Sequence, residues 1–251
     1  MPAGRPLRAR DRSLRGLWAR IRLAEFSVLA AVLLVAGGLL AFMTLAQEIR
    51  EGGTRAFDRA ILLALRHPDD LARPIGPGWL QSLARDITAF GGTGILVLIS
   101  LAVIGFLALA HKRGAAILVF ASVGGGILLS SLLKSGFERP RPDLVPHAVQ
   151  VYTASFPSGH AMLSALTYLT LGALLARIQP NRRLKFYILG LAVLLTFLVG
   201  ASRVYLGVHW PTDVLGGWCM GAAWAMLCWL VARWLQSRGK VAPDAPDAVG
   251  R

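Results

Sequence analysis

Long uncharged apolar runs alternate with short polar segments along most of this chain. A helix needs about 20 apolar residues to cross a bilayer, and a charge at the bilayer centre would cost roughly 2.5–3.5 kcal/mol. Most runs reach that length, and none has a charge in its middle. Because lipid excludes unpaired backbone groups, the runs are predicted to be helices. The six predicted spans are approximately 26–46, 92–110, 114–133, 161–176, 184–201 and 212–232.

Composition agrees with a membrane protein and indicates its orientation. The chain is 55% hydrophobic, above the roughly 45–50% of soluble domains. A net charge of +14 can indicate nucleic-acid binding. Here the cations lie between apolar runs rather than along one polar face, so no nucleic-acid partner is predicted. With the N-terminus inside, the inner segments hold 17 of the 27 lysines and arginines, which predicts that both termini are cytoplasmic.

Three regions follow from this pattern. We expect a basic cytoplasmic segment over 1–22, a six-span domain over 23–235 and a disordered cytoplasmic tail over 236–251. A cleaved signal peptide is the alternative for the first run, although signal sequences have a shorter apolar stretch of about 7–15 residues.

The segment 47–91, between the first two spans, is too long for a tight turn. Apolar residues recur at helical spacing beside charged ones, at Phe57, Ile61, Leu62 and Leu65. This predicts an amphipathic helix on the outer membrane surface, with a second short helix over 79–90. The fold class is therefore predicted to be all-α, an integral membrane six-helix bundle with an amphipathic outer-surface segment. That segment is either a structural lid or an access route for lipid.

Three polar clusters fall on the predicted outer side of the membrane, and each offers groups that suit a phosphate. Lys134, Arg141 and Arg203 are permanent donors, and guanidinium groups match phosphate oxygens in pairs. Ser158 and Gly159 open a helix whose free N–H groups favour an anion, and glycine leaves room for a phosphate against the backbone. Ser158 has an alternative role as a helix N-cap alone.

Two histidines and one acid complete the set. His209 and Asp213 are four residues apart, so a helix beginning here, with Pro211 in its first turn, would place both on one face. Asp213 would hold one imidazole nitrogen as N–H and leave a lone pair on the other, as in a triad with a histidine nucleophile. His160 remains to protonate a leaving oxygen. These three residues could instead hold zinc, but the adjacent cations would repel it, so no metal and no cofactor are expected.

These residues resemble the three-part signature of the type-2 phosphatidic acid phosphatase superfamily. That signature reads Lys-x6-Arg-Pro, then Pro-Ser-Gly-His, then Ser-Arg-x5-His-x3-Asp. All eleven positions are filled at the required spacing, by Lys134, Arg141, Pro142, Pro157, Ser158, Gly159, His160, Ser202, Arg203, His209 and Asp213.

The resemblance implies a role for each residue. His209 would attack phosphorus to form a phosphohistidine, and Asp213 would orient it. His160 would protonate the departing lipid oxygen and then activate water. The phosphate oxygens would be held by Lys134, Arg141, Arg203, Ser158 and the Gly159 N–H. The implied activity is metal-independent hydrolysis of a lipid phosphate or pyrophosphate, of the undecaprenyl pyrophosphate, phosphatidylglycerol phosphate or phosphatidic acid type.

Other functions stay open at this point. A lipid-linked phosphotransferase or a lipid A phosphatase could use the same site, and a non-hydrolytic lipid transporter would need none of the histidine chemistry. The expected location is a bacterial inner membrane. The sequence does not indicate an oligomeric state, because the glycine motifs at 124–126 and at Gly217 and Gly221 suit either packing within the bundle or dimerisation.

Overall fold

Helices account for most of the structure, a computed structural model that describes residues 8–145 and 154–238. The helices are α1 (Arg8–Glu51), α2 (Arg55–Ala64), α3 (Gly78–Ala89), α4 (Thr93–Leu109), α5 (Arg113–Gly136), α6 (Gly159–Ile178), α7 (Arg182–Tyr205) and α8 (Pro211–Ser237). A short antiparallel hairpin of β1 (Arg66–His67) and β2 (Asp70–Pro74) follows α2. Apart from this hairpin, the predicted all-α class is confirmed.

Five of the described helices are long and apolar enough to cross a membrane. They are α1 from Glu25 onward, α5, α6, α7 and α8. The remaining predicted span, 92–110, corresponds to α4, whose 17 residues measure only about 25 Å. Together α3 and α4 meet the requirements as one span bent by 49°, which gives the six of the predicted bundle.

The helix α6 forms the centre of the bundle, in contact with α4, α5, α7 and α8. It is the most buried candidate span, with 61% of its apolar stretch inside the structure against 11% for α1. Its buried face includes polar residues, and Thr170 Oγ1 lies 3.0 Å from Ser122 Oγ of α5. A helix surrounded by protein does not need a fully apolar surface, which explains why its mean hydropathy is 1.6 against 2.5 for α1.

Glycines allow α5 and α8 to approach α6 closely. A Cβ at Gly217 or Gly221 of α8 would lie 2.7 Å or 2.4 Å from backbone oxygens in the first turns of α6. On α5, a Cβ at Gly126 would lie 2.3 Å from the Leu166 side chain of α6. Both glycine motifs therefore pack within the chain, which is the first of the two alternatives left by the sequence.

The segment between the first and second spans is more structured than the sequence indicates. The predicted amphipathic helix is α2, and the predicted second short helix is α3. The hairpin between them has strands too short for an alternating pattern, so the sequence does not reveal it. Arg66 of β1 attaches it to the bundle by donating to the Tyr205 carbonyl at the end of α7, at 3.0 Å.

Two predicted boundaries differ from the helices. The first span continues through Glu51, so 47–51 belongs to α1 rather than to the connecting segment, and α8 continues through Ser237. Most of the predicted tail, 239–251, and the first seven residues of the basic segment lie outside the described residues.

Candidate active site

His209 and Asp213 lie together at the start of α8. Pro211 occupies the first position of that helix, where its missing N–H is not needed. Asp213 accepts a hydrogen bond at 2.9 Å from the Trp210 N–H, and its Oδ2 lies 3.4 Å from His209 Nδ1. Both side chains are fully buried. The four-residue spacing thus brings the two side chains together at the N-terminus of α8, with His209 just before the helix.

The surroundings of His209 define which ring nitrogen carries the proton. Arg141 Nη1 lies 3.2 Å from His209 Nε2. A guanidinium group can only donate, so Nε2 carries the lone pair and Nδ1 carries the proton, directed at Asp213. Burial lowers the pKa of His209 to about 4, helped by the charges of Arg141 and Arg203 and opposed by the hydrogen bond and charge of Asp213. The ring is therefore neutral at physiological pH.

The carboxylate of Asp213 is held by two further groups. Arg139 Nη1 donates to Oδ1 at 2.6 Å, and the Ser155 hydroxyl donates to Oδ2. Arg139 also pairs with Asp58 of α2 at 2.7 Å. Asp58 in turn accepts from the Thr212 N–H at 2.9 Å, at the N-terminus of α8. This chain of contacts joins α2, the segment after α5 and the start of α8.

The turn before α6 is anchored by Phe156. Its ring is fully buried, stacks on Phe42 of α1 with centroids 5.3 Å apart, and meets Phe137 edge-on at 4.9 Å. A Cβ at Gly216 of α8 would lie 2.5 Å from the ring. These contacts fix the position of the residues that open α6.

Ser158 and Gly159 connect the α6 N-terminus to the other two clusters. The Ser158 N–H donates to the Asp213 carbonyl at 3.0 Å, and its hydroxyl accepts from the Ala161 N–H at 3.5 Å. Ser158 therefore has the N-cap role that the sequence left open. A Cβ at Gly159 would lie 3.3 Å from Lys134 Nζ, so glycine allows the lysine to approach the helix end.

Arg203, in the last turn of α7, is buried beside the same helix end. Its Nη1 donates to Thr88 Oγ1 of α3 at 2.9 Å. Its Nε is buried and has no hydrogen-bond partner among the described residues. A buried donor without an acceptor is costly unless a ligand satisfies it. This atom indicates an oxyanion position next to Arg203.

His160 lies between these cations and is half-buried. Its ring is close enough to Arg203, His209, Lys134 and Arg141 for electrostatic interaction with all four. A Cβ at Gly91, between α3 and α4, would lie 3.3 Å from the ring. The bend between those two helices thus passes over one side of His160.

All eight residues predicted for the site lie at one end of the bundle, hereafter the site end. They are His209, His160, Asp213, Lys134, Arg141, Ser158, Gly159 and Arg203. Within the described ranges, no three His, Cys, Asp or Glu side chains form a group that could hold a metal ion. The arrangement brings a neutral buried imidazole, a second imidazole and several cations around one position, which suits phosphoryl transfer.

Four residues of the site are absent from the sequence analysis as functional candidates: Asp58, Thr88, Arg139 and Ser155. In these contacts their partners lie between 58 and 154 positions away, so no local spacing reveals them. One signal was available for Asp58. It lies four residues before Leu62, on the apolar face of α2, and a carboxylate on such a face needs a buried partner.

Comparisons with known proteins agree with this geometry. Residues 115–237 match the family model of the PAP2 superfamily. Phosphatidylglycerophosphatase B of Bacillus subtilis is 33% identical over 189 residues, which cover 72% of this chain and 86% of that protein. Lipid A 1-phosphatase of Rhizobium etli is 27% identical, with 68% of this chain and 81% of that protein covered. The crystal structure of a transmembrane PAP2-type phosphatidylglycerolphosphate phosphatase from Bacillus subtilis superimposes with a TM-score of 0.73 at 30% identity, over 81% of this chain and 98% of that one.

Proposed function

This chain belongs to the PAP2 superfamily, and we propose that it hydrolyses a membrane lipid phosphate or pyrophosphate through a phosphohistidine on His209. Its similarity to lipid phosphatases and its apolar helices make it a membrane lipid phosphatase. The observation that supports the proposed mechanism is the double pairing of one buried imidazole, with Asp213 at Nδ1 and Arg141 at Nε2.

In the first step, the lone pair of His209 Nε2 attacks phosphorus. A phosphorus–nitrogen bond forms as the bond from phosphorus to the lipid oxygen breaks. His160, protonated once the anionic phosphate is bound, gives its proton to that oxygen, which leaves as an alcohol or as a lipid monophosphate. The carboxylate of Asp213 offsets the positive charge that the phosphorylated ring acquires, while Lys134, Arg141 and Arg203 stabilise the charge on the phosphoryl oxygens.

In the second step, His160, now neutral, removes a proton from water. The hydroxyl oxygen attacks phosphorus and the phosphorus–nitrogen bond breaks, which releases inorganic phosphate and returns His209 to its neutral form. Microscopic reversibility requires the group that acts as acid in the first step to act as base in the second. No metal ion is needed, because fixed cations surround the reacting group.

The substrate is proposed to be a lipid with a terminal phosphate or diphosphate. Related proteins include a phosphatidylglycerophosphatase B, a lipid A 1-phosphatase and an undecaprenyl-diphosphatase, and all three names describe lipids with such groups. From the positive-inside rule, we place the site end on the outer face of a bacterial inner membrane, with both termini in the cytoplasm.

The test is phosphate release from purified lipid phosphates by the full chain in detergent, with His209→Ala as the blank. We expect phosphate release from at least one of these lipids. This release should persist in EDTA and be inhibited by vanadate, a mimic of the pentacoordinate phosphorus. Release that stops with EDTA would exclude the metal-independent mechanism. A labelled phosphate that appears in a second lipid rather than in water would identify a phosphotransferase instead.

A further inference from the structure

A cavity of about 530 Å³ lies at the end of the bundle opposite the site end. It is lined by residues of α1, α5, α6, α7 and α8. Its position follows from α6, which has His160 in its first turn and Arg177 in its last. The two residues are 17 positions apart, which corresponds to about 25 Å along the helix. The cavity is therefore separate from the catalytic residues and close to the other membrane surface.

Three cations line this cavity, and they come from three helices. They are Arg177 of α6, Lys185 of α7 and Arg233 of α8. The described residues that line it include no aspartate or glutamate. The Arg233 guanidinium lies over the Trp229 ring, 5.5 Å from its centroid, which holds it beside the cavity. Like charges gathered without a counter-charge favour an anionic ligand.

The N-terminus of α5 adds to this attraction. Gly114 and Ala115, in its first turn, line the cavity. The N-cap residue is Lys112, and a lysine side chain has no acceptor for the first N–H groups of the helix. Such groups and the positive end of the helix dipole favour an anion.

The rest of the lining is apolar. Leu118, Leu174, Ala225 and Met226 line the cavity away from the cations. A free phosphate would use only the polar part of such a cavity. A phospholipid matches both parts, because its headgroup is anionic and its chains are apolar.

We propose that this cavity binds an anionic phospholipid, with the headgroup phosphate between Arg177, Lys185 and Arg233 and one acyl chain along the apolar lining. In the orientation proposed above, the lipid belongs to the cytoplasmic leaflet. The site does not depend on the phosphatase reaction, because it shares no residue with the catalytic end.

The test measures lipid retained by the full chain, in a His209→Asn background that removes turnover. Delipidated protein is exchanged into vesicles of phosphatidylcholine with and without phosphatidylglycerol, re-extracted, and its bound lipid is quantified. We expect phosphatidylglycerol to be retained in preference to phosphatidylcholine. Each cation contributes about 1 kcal/mol, or about fivefold, so the combined Arg177→Gln, Lys185→Gln and Arg233→Gln variant loses about a hundredfold of that preference.

A matched control removes the same charge elsewhere. The combined Arg55→Gln, Arg59→Gln and Arg73→Gln variant should keep the preference, since those residues lie in the segment between α1 and α3. Ala173→Phe fills part of the cavity without changing charge and should also reduce retention. Equal losses in both triple variants would show general surface attraction and overturn the proposal. Competition by free glycerol 3-phosphate at the same concentration would overturn it too, because a soluble phosphate would then be the ligand.

A separate observation carries a second inference, which rests on the proposed function. Arg139 bridges the catalytic Asp213 and the buried Asp58, at 2.6 Å and 2.7 Å. Asp58 also accepts from the Thr212 hydroxyl and N–H at 2.9 Å. We infer that Asp58 and Arg139 are positioning residues, which hold the Asp213 carboxylate against His209. The helix α2 thereby contributes a positioning residue to the active site.

The test compares Asp58→Asn with Asp86→Asn, an exposed carboxylate on α3. A positioning role predicts a loss of about tenfold in kcat with KM unchanged, the value of one hydrogen bond to a charged group, and no loss for the control. Asp58→Glu, which restores the charge, should recover part of the activity. The inference would be overturned if the Asp58→Asn variant eluted as a single species and had a normal kcat. If His209→Ala retained activity while Asp58→Asn lost it, the proposed nucleophile would be wrong and the contribution of α2 would remain.

Discussion

The two sides of the His209 ring differ in how their polar groups are paired. On the Nδ1 side, both carboxylate oxygens of Asp213 accept hydrogen bonds, from Arg139 and Ser155 as well as from the Trp210 backbone. On the Nε2 side, cations and the second imidazole adjoin one another, and Arg203 Nε has no acceptor within the described residues.

This difference assigns a task to each side. A network whose donors and acceptors are all matched holds one geometry, because every alternative breaks a buried hydrogen bond. A buried donor without an acceptor in the described part of the chain, here Arg203 Nε, carries a cost that an incoming oxyanion removes. We therefore call the first the orienting side (Asp213, Ser155, Arg139 and Asp58) and the second the phosphate side (Lys134, Arg141, Arg203 and His160).

The largest effect is expected at the ring that divides the two sides. His209→Asn keeps a polar side chain but removes the proposed nucleophilic nitrogen, and turnover should fall by on the order of 10⁴-fold or more. The matched control is His111→Asn, at the opposite end of the bundle, where φ is 58° and asparagine fits that backbone. Phosphate release within twofold of wild type in both variants would contradict the assignment.

The next largest effect is expected on the phosphate side. Arg203→Gln removes a donor that acts on the developing charge, and kcat should fall by about 10²–10³-fold. Arg85→Gln, on the exposed surface of α3, changes the same charge near the same helix and should leave kcat unchanged. If the loss appeared only in KM, Arg203 would bind the ground state without stabilising the transition state.

A smaller effect is expected on the orienting side. Ser155→Ala removes one of several donors to Asp213, and the remaining ones still hold the carboxylate. A loss of about tenfold in kcat, with KM unchanged, corresponds to one hydrogen bond to a charged group. A loss as large as that of Arg203→Gln would show that the orienting side is less redundant than its contacts indicate.

The smallest effect is expected from pH. In the proposed mechanism His209 must be unprotonated to attack, and its pKa is lowered to about 4, chiefly by burial. The His209 limb of kcat/KM should therefore lie near pH 4 rather than near the ordinary value of about 6.5. Because the pKa of His209 is lower in the folded chain than in the unfolded chain, the unfolded chain binds this proton at a higher pH. The free energy of unfolding therefore falls as pH drops from about 6.5 towards 4.

Arg141→Gln sharpens the pH measurement. Removing that cation should raise the pKa of His209 and move the acid limb to higher pH, although overall activity also falls. Wild type and Arg141→Gln are assayed with the same substrate, so the ionisation of the substrate affects both pH profiles equally. An acid limb that stays in place would show that Arg141 does not act on the ring.

The contrast between the two sides also separates what the sequence predicted from what it missed. The phosphate side could be predicted, because its residues have local spacing and because loop charges place their segments on one side of the membrane. The orienting side could be predicted only as the His209–Asp213 pair. Its other contacts join α2, the segment after α5 and α8, and pairing across such distances follows from packing rather than from any pattern in the chain.

The same division applies to the fold. Apolar runs predicted the spanning helices, including the central α6, because a span requires length and low charge. The bend between α3 and α4 and the hairpin after α2 depend on contacts with α7, such as those of Thr88 and Arg66. The sequence places a break between 79–90 and 92–110, but it offers no signal for the 49° angle of the bend or for the hairpin.

The most direct test of the central claim is to trap the phosphorylated enzyme. Labelled substrate is mixed with the full chain, the reaction is quenched in base within one turnover, and the label is located by peptide mass. A phosphoryl group on His209 that is stable in base and lost in acid is the predicted result, absent from His209→Asn and present in His111→Asn. Label on His160, or turnover with no label on any histidine, would contradict the account.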